Sequence, residues 1–215
     1  MAAPDPPNPL PAYELRDPDV RLMLQVRDDD AAAFEELVLR YQNRLVAVLE
    51  HLIGDRDRAE DLAQDVFLRV YRSRKGYIPT AKFSTWLFTI ANNVALNARR
   101  SLARRREVRL DGREDDGDST QNFEHWLAVS SGQMPARQLD KAEMQDVVRM
   151  AVQALNDRQK MAVLLNKFED MSYSDIAQVM DLSPQAIKSL LSRARVQLRE
   201  VLEPYLEQGQ KPKPV

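Results

Sequence analysis

At 215 residues, with 44% hydrophobic side chains and a formal net charge of −2, the chain is long enough for one or two domains with cores of their own. It has no cysteine and only two histidines, His51 and His125, which excludes disulfides and thiolate metal sites and argues against a zinc centre. No apolar run approaches the roughly 20 residues of a membrane span, and no basic-then-apolar leader opens the chain, so a cytoplasmic protein without membrane insertion is expected.

In chain order, residues 1–17 read as a flexible leader, since five of the first twelve residues are proline and little there can pack. A first helical block is expected over 18–106. Phe34, Leu37, Val38, Tyr41, Leu45, Val48, Leu49 and Leu52 form its first apolar stripe, which stops at Gly54. Asp57, with Glu60 three residues on, reads as the cap of a helix that buries Ala59, Leu62, Ala63, Val66, Phe67 and Val70. On the opposite face Asp57, Asp61 and Asp65 recur four residues apart beside Gln64. Such like-charge pairs cost an isolated helix about a few tenths of a kcal/mol each, and a basic protein surface docking there would relieve them. A merely solvated face, favoured by the helix dipole, is the plain alternative.

After the loop at Gly76 and Pro79 the pattern predicts a helix beginning at Ser84, with Phe83 and Phe88 as a hydrophobic staple. Trp86, Leu87, Ile90, Ala91, Val94 and Ala95 mark its buried face. Its polar side carries Asn92, Asn93 and Asn97, and asparagine is a poor helix former. Three of them within six residues need a reason, and contact with exposed bases is one. Arg99, Arg100, Arg104, Arg105 and Arg106 extend this surface towards phosphates, or else form only a soluble helix end. The small net charge hides strong segregation: Asn97–Arg113 holds seven arginines against two acids, and Glu114–Asp118 then holds four acids in five residues. Trp86 sits in the apolar stripe, which favours core packing, and Tyr77 in the preceding loop is the better base-stacking candidate.

Residues 107–139 read as a flexible acidic linker, with Phe123–Leu127 an apolar island that either packs back on a domain or inserts into a partner. A second helical block is expected over 140–205, followed by a flexible tail at 206–215. Met144, Val147, Val148, Ala151, Val152 and Leu155 make its first helix, and Asp157 caps a second. From Ser172 to Leu202 the chain reads as a helix-turn-helix. Ser172 with Asp175 is a capping box, and Ser183 followed by Pro184 starts the next helix. Between them Asp181 takes the corner, where aspartate tolerates the left-handed conformation. Ile187, Leu190, Leu191, Ala194 and Leu198 form the buried stripe. Ser183, Pro184, Gln185, Lys188, Ser189, Ser192, Arg193 and Arg195 are left outside, and such side chains suit base edges and phosphates in a major groove.

The fold class is therefore all-α: two small helical domains joined by a flexible linker, the second containing the helix-turn-helix. None of the six glycines belongs to a phosphate-binding loop, and no nucleophile–histidine–carboxylate grouping stands out, so neither an enzyme nor a cofactor is expected.

Three segments together carry a resemblance. RAEDLAQDVFLRVYR, KFSTWLFTIANNVALNARR and the terminal helix-turn-helix resemble bacterial RNA polymerase sigma factors of the extracytoplasmic-function (ECF) class, over roughly residues 18–203. The resemblance implies that Asp61, Gln64 and Asp65 dock on the clamp helices of the polymerase largest subunit, and that the second domain meets the flap of the second-largest. It implies that Asn92, Asn93, Asn97, Arg99 and Arg100 engage the minus-ten promoter element as it opens. Ser183, Pro184, Gln185, Lys188, Ser189, Ser192 and Arg193 would lie nearest the minus-thirty-five duplex. An anti-sigma factor is the further partner that the resemblance implies. The chain departs from the family pattern at Asn92, often basic, at Asn97, often aspartate, and at Asp181, where a turn glycine is common. A stand-alone helix-turn-helix regulator of an operator is the alternative, and a helical adaptor without a nucleic-acid role is the third.

Overall fold

A computed structural model of the chain describes residues 17–110, 144 and 147–208; the expected leader, most of the linker with its apolar island, and the last residues of the tail lie outside it. Among the described residues every regular element is helical. Both expected blocks form. The first contains α1 (Pro18–Arg27), α2 (Ala31–Ile53), α3 (Arg56–Ser73), a 3-10 turn at Arg74–Gly76 and α4 (Phe83–Leu110). The second contains α5, helical over residues 147–153, then α6 (Asp157–Lys167), α7 (Tyr173–Met180) and α8 (Pro184–Gln208).

Local chemistry sets the helix ends. Asp30 caps α2 by accepting from the amides of Ala32 and Ala33, and Gly54 ends that helix at φ 78, a conformation glycine adopts without a Cβ penalty. The cap of α3 is Asp55, which accepts from the Arg58 amide, so the expected cap Asp57 lies instead in the first turn. Two acids lie close together there, and the one whose backbone is extended takes the capping role. Similarly Asn156, not Asp157, caps α6 and forms a reciprocal capping box with Gln159. α4 begins one residue before the expected Ser84. Asp17, at the edge of the expected leader, explains this: one carboxylate oxygen accepts from Asp19 at the start of α1, and the other from the Phe83 amide at 3.2 Å. The same helix runs four residues past the expected boundary at 106, to Leu110.

The core of the first block is built on Val20, Met23, Leu37, Leu45, Leu49, Val66, Val70, Phe83, Leu87 and Phe88, all fully buried. Tyr41 packs edge-on against Phe83 and donates its hydroxyl to Asp19 at 2.6 Å. Burial first, then that carboxylate, pushes its phenol well above the ordinary tyrosine range. In the second block Leu164, Leu165, Ile176, Ile187 and Ala194 are the corresponding centre.

The blocks do not stay apart. Their buried side chains form one continuous apolar cluster, with α7 packed along α4 and α6 against α2. Polar contacts rim this seam. Arg44 of α2 pairs with Glu169, just beyond α6, at 2.5 Å, and Lys82 pairs with Asp175 of α7 at 3.2 Å. Arg99 of α4 pairs with Asp157 of α6. The Asn92 amide donates to the Val179 carbonyl at 3.2 Å, and the His51 and Phe168 rings lie 6.3 Å apart.

Candidate nucleic-acid interface

The helix-turn-helix of α7 and α8 is assembled from short-range bonds. Ser172 accepts from the Asp175 amide while the Asp175 carboxylate accepts from the Ser172 amide, so the expected capping box is present. Burial alone would raise the Asp175 carboxyl, but hydrogen bonds from Ser172 and Lys82 outweigh it and hold the group below its ordinary value. Asp181 turns the chain at φ 51, ψ 52, and the next amide, of Leu182, reaches back to the Ala177 carbonyl. Ser183 then accepts from the Ala186 amide and starts α8. Ile187, Leu190, Leu191 and Ala194 are buried beneath it.

This packing fixes which side of α8 faces outwards. Ser183, Pro184, Gln185, Lys188, Ser189, Ser192 and Arg193 are all exposed. Ser189 donates to the Gln185 carbonyl and Arg193 to the Ser189 carbonyl at 3.4 Å, so both lie along the helix surface. Arg195, also exposed, donates to the Tyr173 hydroxyl of α7. The face offers hydroxyls, one amide and two cations on a rigid helix, a set suited to base edges flanked by phosphates.

The polar residues of α4 do not share one face. Asn92 and Arg99, seven residues apart, point into the seam: Asn92 is half-buried on Val179, and Arg99 is half-buried against Asp157. Burial lowers the Arg99 guanidinium from its ordinary value. Asn93, Asn97, Arg100 and Arg104 turn away and are exposed. The structure therefore separates the five expected minus-ten residues into a covered pair and an open trio.

Tyr77, expected as a base-stacking ring, is instead 3% exposed and packs on Trp86 with ring centroids 4.8 Å apart. Its neighbour Ile78 is 71% exposed, the most exposed large apolar side chain among the described residues. Trp86 belongs to the core surface as expected, lying 6.1 Å from Phe83.

On α3, Asp57, Asp61 and Gln64 are exposed and Asp65 is half-buried. Asp65 pairs with Arg69 and Glu60 with Arg56, both at i,i+4 spacing, which offsets part of the like-charge strain. Asp61 has no ion pair among the described residues. Leu68, 52% exposed, falls on this same side and was not anticipated.

The cross-seam residues Arg44, Lys82 and Glu169 were also missed. Glu169 is 9% exposed, and burial raises its carboxyl against the lowering effect of Arg44. No sequence signal links these partners, which are 93 and 125 positions apart.

Comparison with known proteins agrees with this division of the chain. A family profile for Sigma-70 region 2 matches residues 37–105, and one for Sigma-70 region 4 matches 145–198. The RNA polymerase sigma-H factor of Pseudomonas aeruginosa is 32% identical over 192 residues, which cover 89% of this chain and 97% of that protein. The ECF RNA polymerase sigma-E factor of Haemophilus influenzae is 29% identical over 87% of this chain and 97% of its own length. Among solved structures, the sigma factor RpoE in complex with the anti-sigma factor NepR from Bartonella quintana is similar with a TM-score of 0.60 and 26% identity, covering 79% of this chain and 96% of that one. CnrH in complex with the cytosolic domain of CnrY has a TM-score of 0.61 at 21% identity, covering 87% and 98%, and shares the fold.

Proposed function

Since the chain belongs to the sigma-70 family of RNA polymerase sigma factors, within the ECF class, we propose a division of its promoter work among three helical faces. As a sigma factor it binds core RNA polymerase and directs promoter recognition and opening; it is not an enzyme. The stand-alone regulator accounts only for the C-terminal helices and leaves the region 2 match over residues 37–105 without a role.

In the proposed division, Asp61, Gln64 and Asp65 of α3 dock on the clamp helices of the polymerase largest subunit, and the second block meets the flap of the second-largest. Asn92, Asn93, Asn97, Arg99 and Arg100 of α4 engage the minus-ten element as single strands form. Ser183, Pro184, Gln185, Lys188, Ser189, Ser192 and Arg193 of α8 face the minus-thirty-five duplex. The domains follow, as 18–106 for the first grip and 140–205 for the second, with the intervening 107–139 as linker. An anti-sigma factor is proposed as the inhibitor, in line with the complex in which the similar RpoE structure was solved. The cytoplasm is the proposed site of action, and among the described residues no helix is long and apolar enough to cross a membrane.

One observation carries this reading: a capped helix-turn-helix with its polar row facing outwards lies in the same chain as an asparagine–arginine helix and an exposed acidic face. The physics suits a factor that works only on a scaffold. A single small module buries about 600–1,000 Å² on DNA and binds weakly alone. Two such modules held at a fixed spacing gain effective concentration. Unstacking a base costs about a few kcal/mol and stacking returns about 1–3 kcal/mol per base. Transcription by core polymerase on a promoter library, with and without the chain, is the test. Specific initiation is expected only with the chain, and initiation weakened by Asp61→Ala through lost polymerase affinity; duplex binding by the free chain with no initiation would overturn the reading.

A further inference from the structure

Lys160 of α6 is half-buried, yet among the described residues it makes no hydrogen bond or ion pair. Other cations crowd the same place. Arg99 of α4 acts on it, and burial together with that charge holds the ammonium below its ordinary value. Lys160 and Arg149 of α5 act in turn on His51 of α2, which is half-buried beside the Phe168 ring. The nearby acids are already engaged. Asp157 pairs with Arg99, and Glu50 pairs with Arg56 at 3.6 Å while also drawing on Arg149.

A partly desolvated charge is costly unless an opposite charge or a hydrogen bond answers it. Here Lys160 is left with one unanswered charge, and His51 adds a second whenever it takes up a proton. We propose that Lys160, His51 and Arg149 form a binding site for a doubly charged phosphate group, free or as a monoester, where α2, α5 and α6 meet. The three side chains divide the work. Arg149 brings a planar fork suited to a pair of phosphate oxygens, Lys160 a compact point charge, and protonated His51 a donor on each ring nitrogen. Charge selects the ligand. A phosphate monoester loses its second proton at about pH 6 and is then a dianion, whereas each phosphodiester of a DNA backbone carries one charge.

The groups facing His51 are Arg149 from α5 and Lys160 from α6, with Glu50 next to it on its own helix. A dianion set among them would reverse the repulsion that keeps His51 neutral, so binding draws a proton from solution below neutral pH. Simple screening by salt has no such signature. None of these three residues belongs to a promoter face proposed above, so this site and those faces stand or fall separately.

The test uses the full-length chain, with thermal midpoints and titration calorimetry, always against chloride at matched ionic strength. At a tenfold excess over their Kd, inorganic phosphate and adenosine 5′-monophosphate are expected to raise the midpoint by about a few degrees. Dimethyl phosphate, a diester, is expected to leave it unchanged. Tighter binding of the nucleotide than of phosphate would make the ligand a monoester; equal binding would make it the free anion. Sulfate, a dianion that does not titrate, is expected to bind at pH 6 with uptake of up to about one proton, read in two buffers of different ionisation heat. His51→Gln should lose that uptake.

Lys160→Met is expected to raise the midpoint without ligand, because it removes the unanswered charge, and to weaken phosphate binding at least about tenfold. Lys160→Arg keeps the cation and should keep the binding. Equal midpoints in phosphate and chloride overturn the site, as does a Lys160→Met chain that gains the parent's full shift. Dimethyl phosphate as effective as phosphate, or sulfate bound without proton uptake, overturns the pairing of Lys160 with His51 on a dianion.

Discussion

α4 and α8 are both long helices with a buried stripe and a polar row, yet the fold treats their rows differently. On α8 the caps and the stripe of Ile187, Leu191 and Ala194 leave every expected DNA-facing side chain in solvent. On α4 the polar row is split, with Asn93, Asn97 and Arg100 outside and Asn92 and Arg99 under the other block. The neighbours of α8, α6 and α7, cover only its apolar side and leave a clean face, whereas α6 and α7 cover part of the polar row of α4 as well.

The strongest challenge to this contrast is Ile187→Ala, since Ile187 is fully buried under α8. It should cost about 2–5 kcal/mol and disorder the presented row, measured as a fall in the urea midpoint together with loss of duplex binding. If duplex binding persists after the midpoint falls, the row does not depend on the stripe.

Acid probes the seam next. His51, on α2 facing Phe168, is pushed down to about 4 from 6.5 by burial, with Lys160 and Arg149 adding to the effect. Its folded form resists protonation, so the stability it supports is intact above pH 6.5 and is lost as pH falls from 6.5 towards 4. Glu169, whose value is raised, works in the opposite direction, so the useful measurement is a difference. Between pH 7 and 4 the parent should lose about 2–3 kcal/mol more stability than His51→Gln, read from urea midpoints at each pH. Parallel curves for the two proteins would show that this seam does not titrate.

Lys188→Ala sharpens the α8 side. Duplex affinity should fall several-fold, and the slope of log affinity against log salt should flatten by about 0.9 for one lost phosphate contact. An unchanged slope would mean that Lys188 meets no phosphate.

The smallest effect is expected at the turn between the two C-terminal helices. Asp181 holds φ 51, where a side chain costs about 1 kcal/mol relative to glycine, so Asp181→Gly should raise the thermal midpoint by a few degrees without altering DNA affinity. Unchanged or lowered stability would mean that the aspartate contributes more there than its backbone angle costs.

What could be read in the sequence was local. Ser172 with Asp175, Ser183 with Ala186 and the corner at Asp181 are held within a few residues, so spacing alone conveys them. The outward row of α8 followed from its apolar period. Where two acids stood within one turn, as at Asp55 and Asp57, composition could not tell which has the extended backbone of a cap. Asp29 shows the same limit over a longer distance: its left-handed corner is braced by Arg74 and Lys75, whose side chains return from the end of the third helix. The split of the α4 row was invisible for a related reason. Helical periodicity gives the direction of a side chain about its own axis, but not which distant element will stand there.

The two oxygens of Asp17 have a practical consequence for anyone shortening this protein. One anchors the first helix and the other receives the leading amide of α4, 66 positions further along. A shortened version beginning at residue 18 would lose the cap of its own first helix and, with the same deletion, fray a second helix far along the chain.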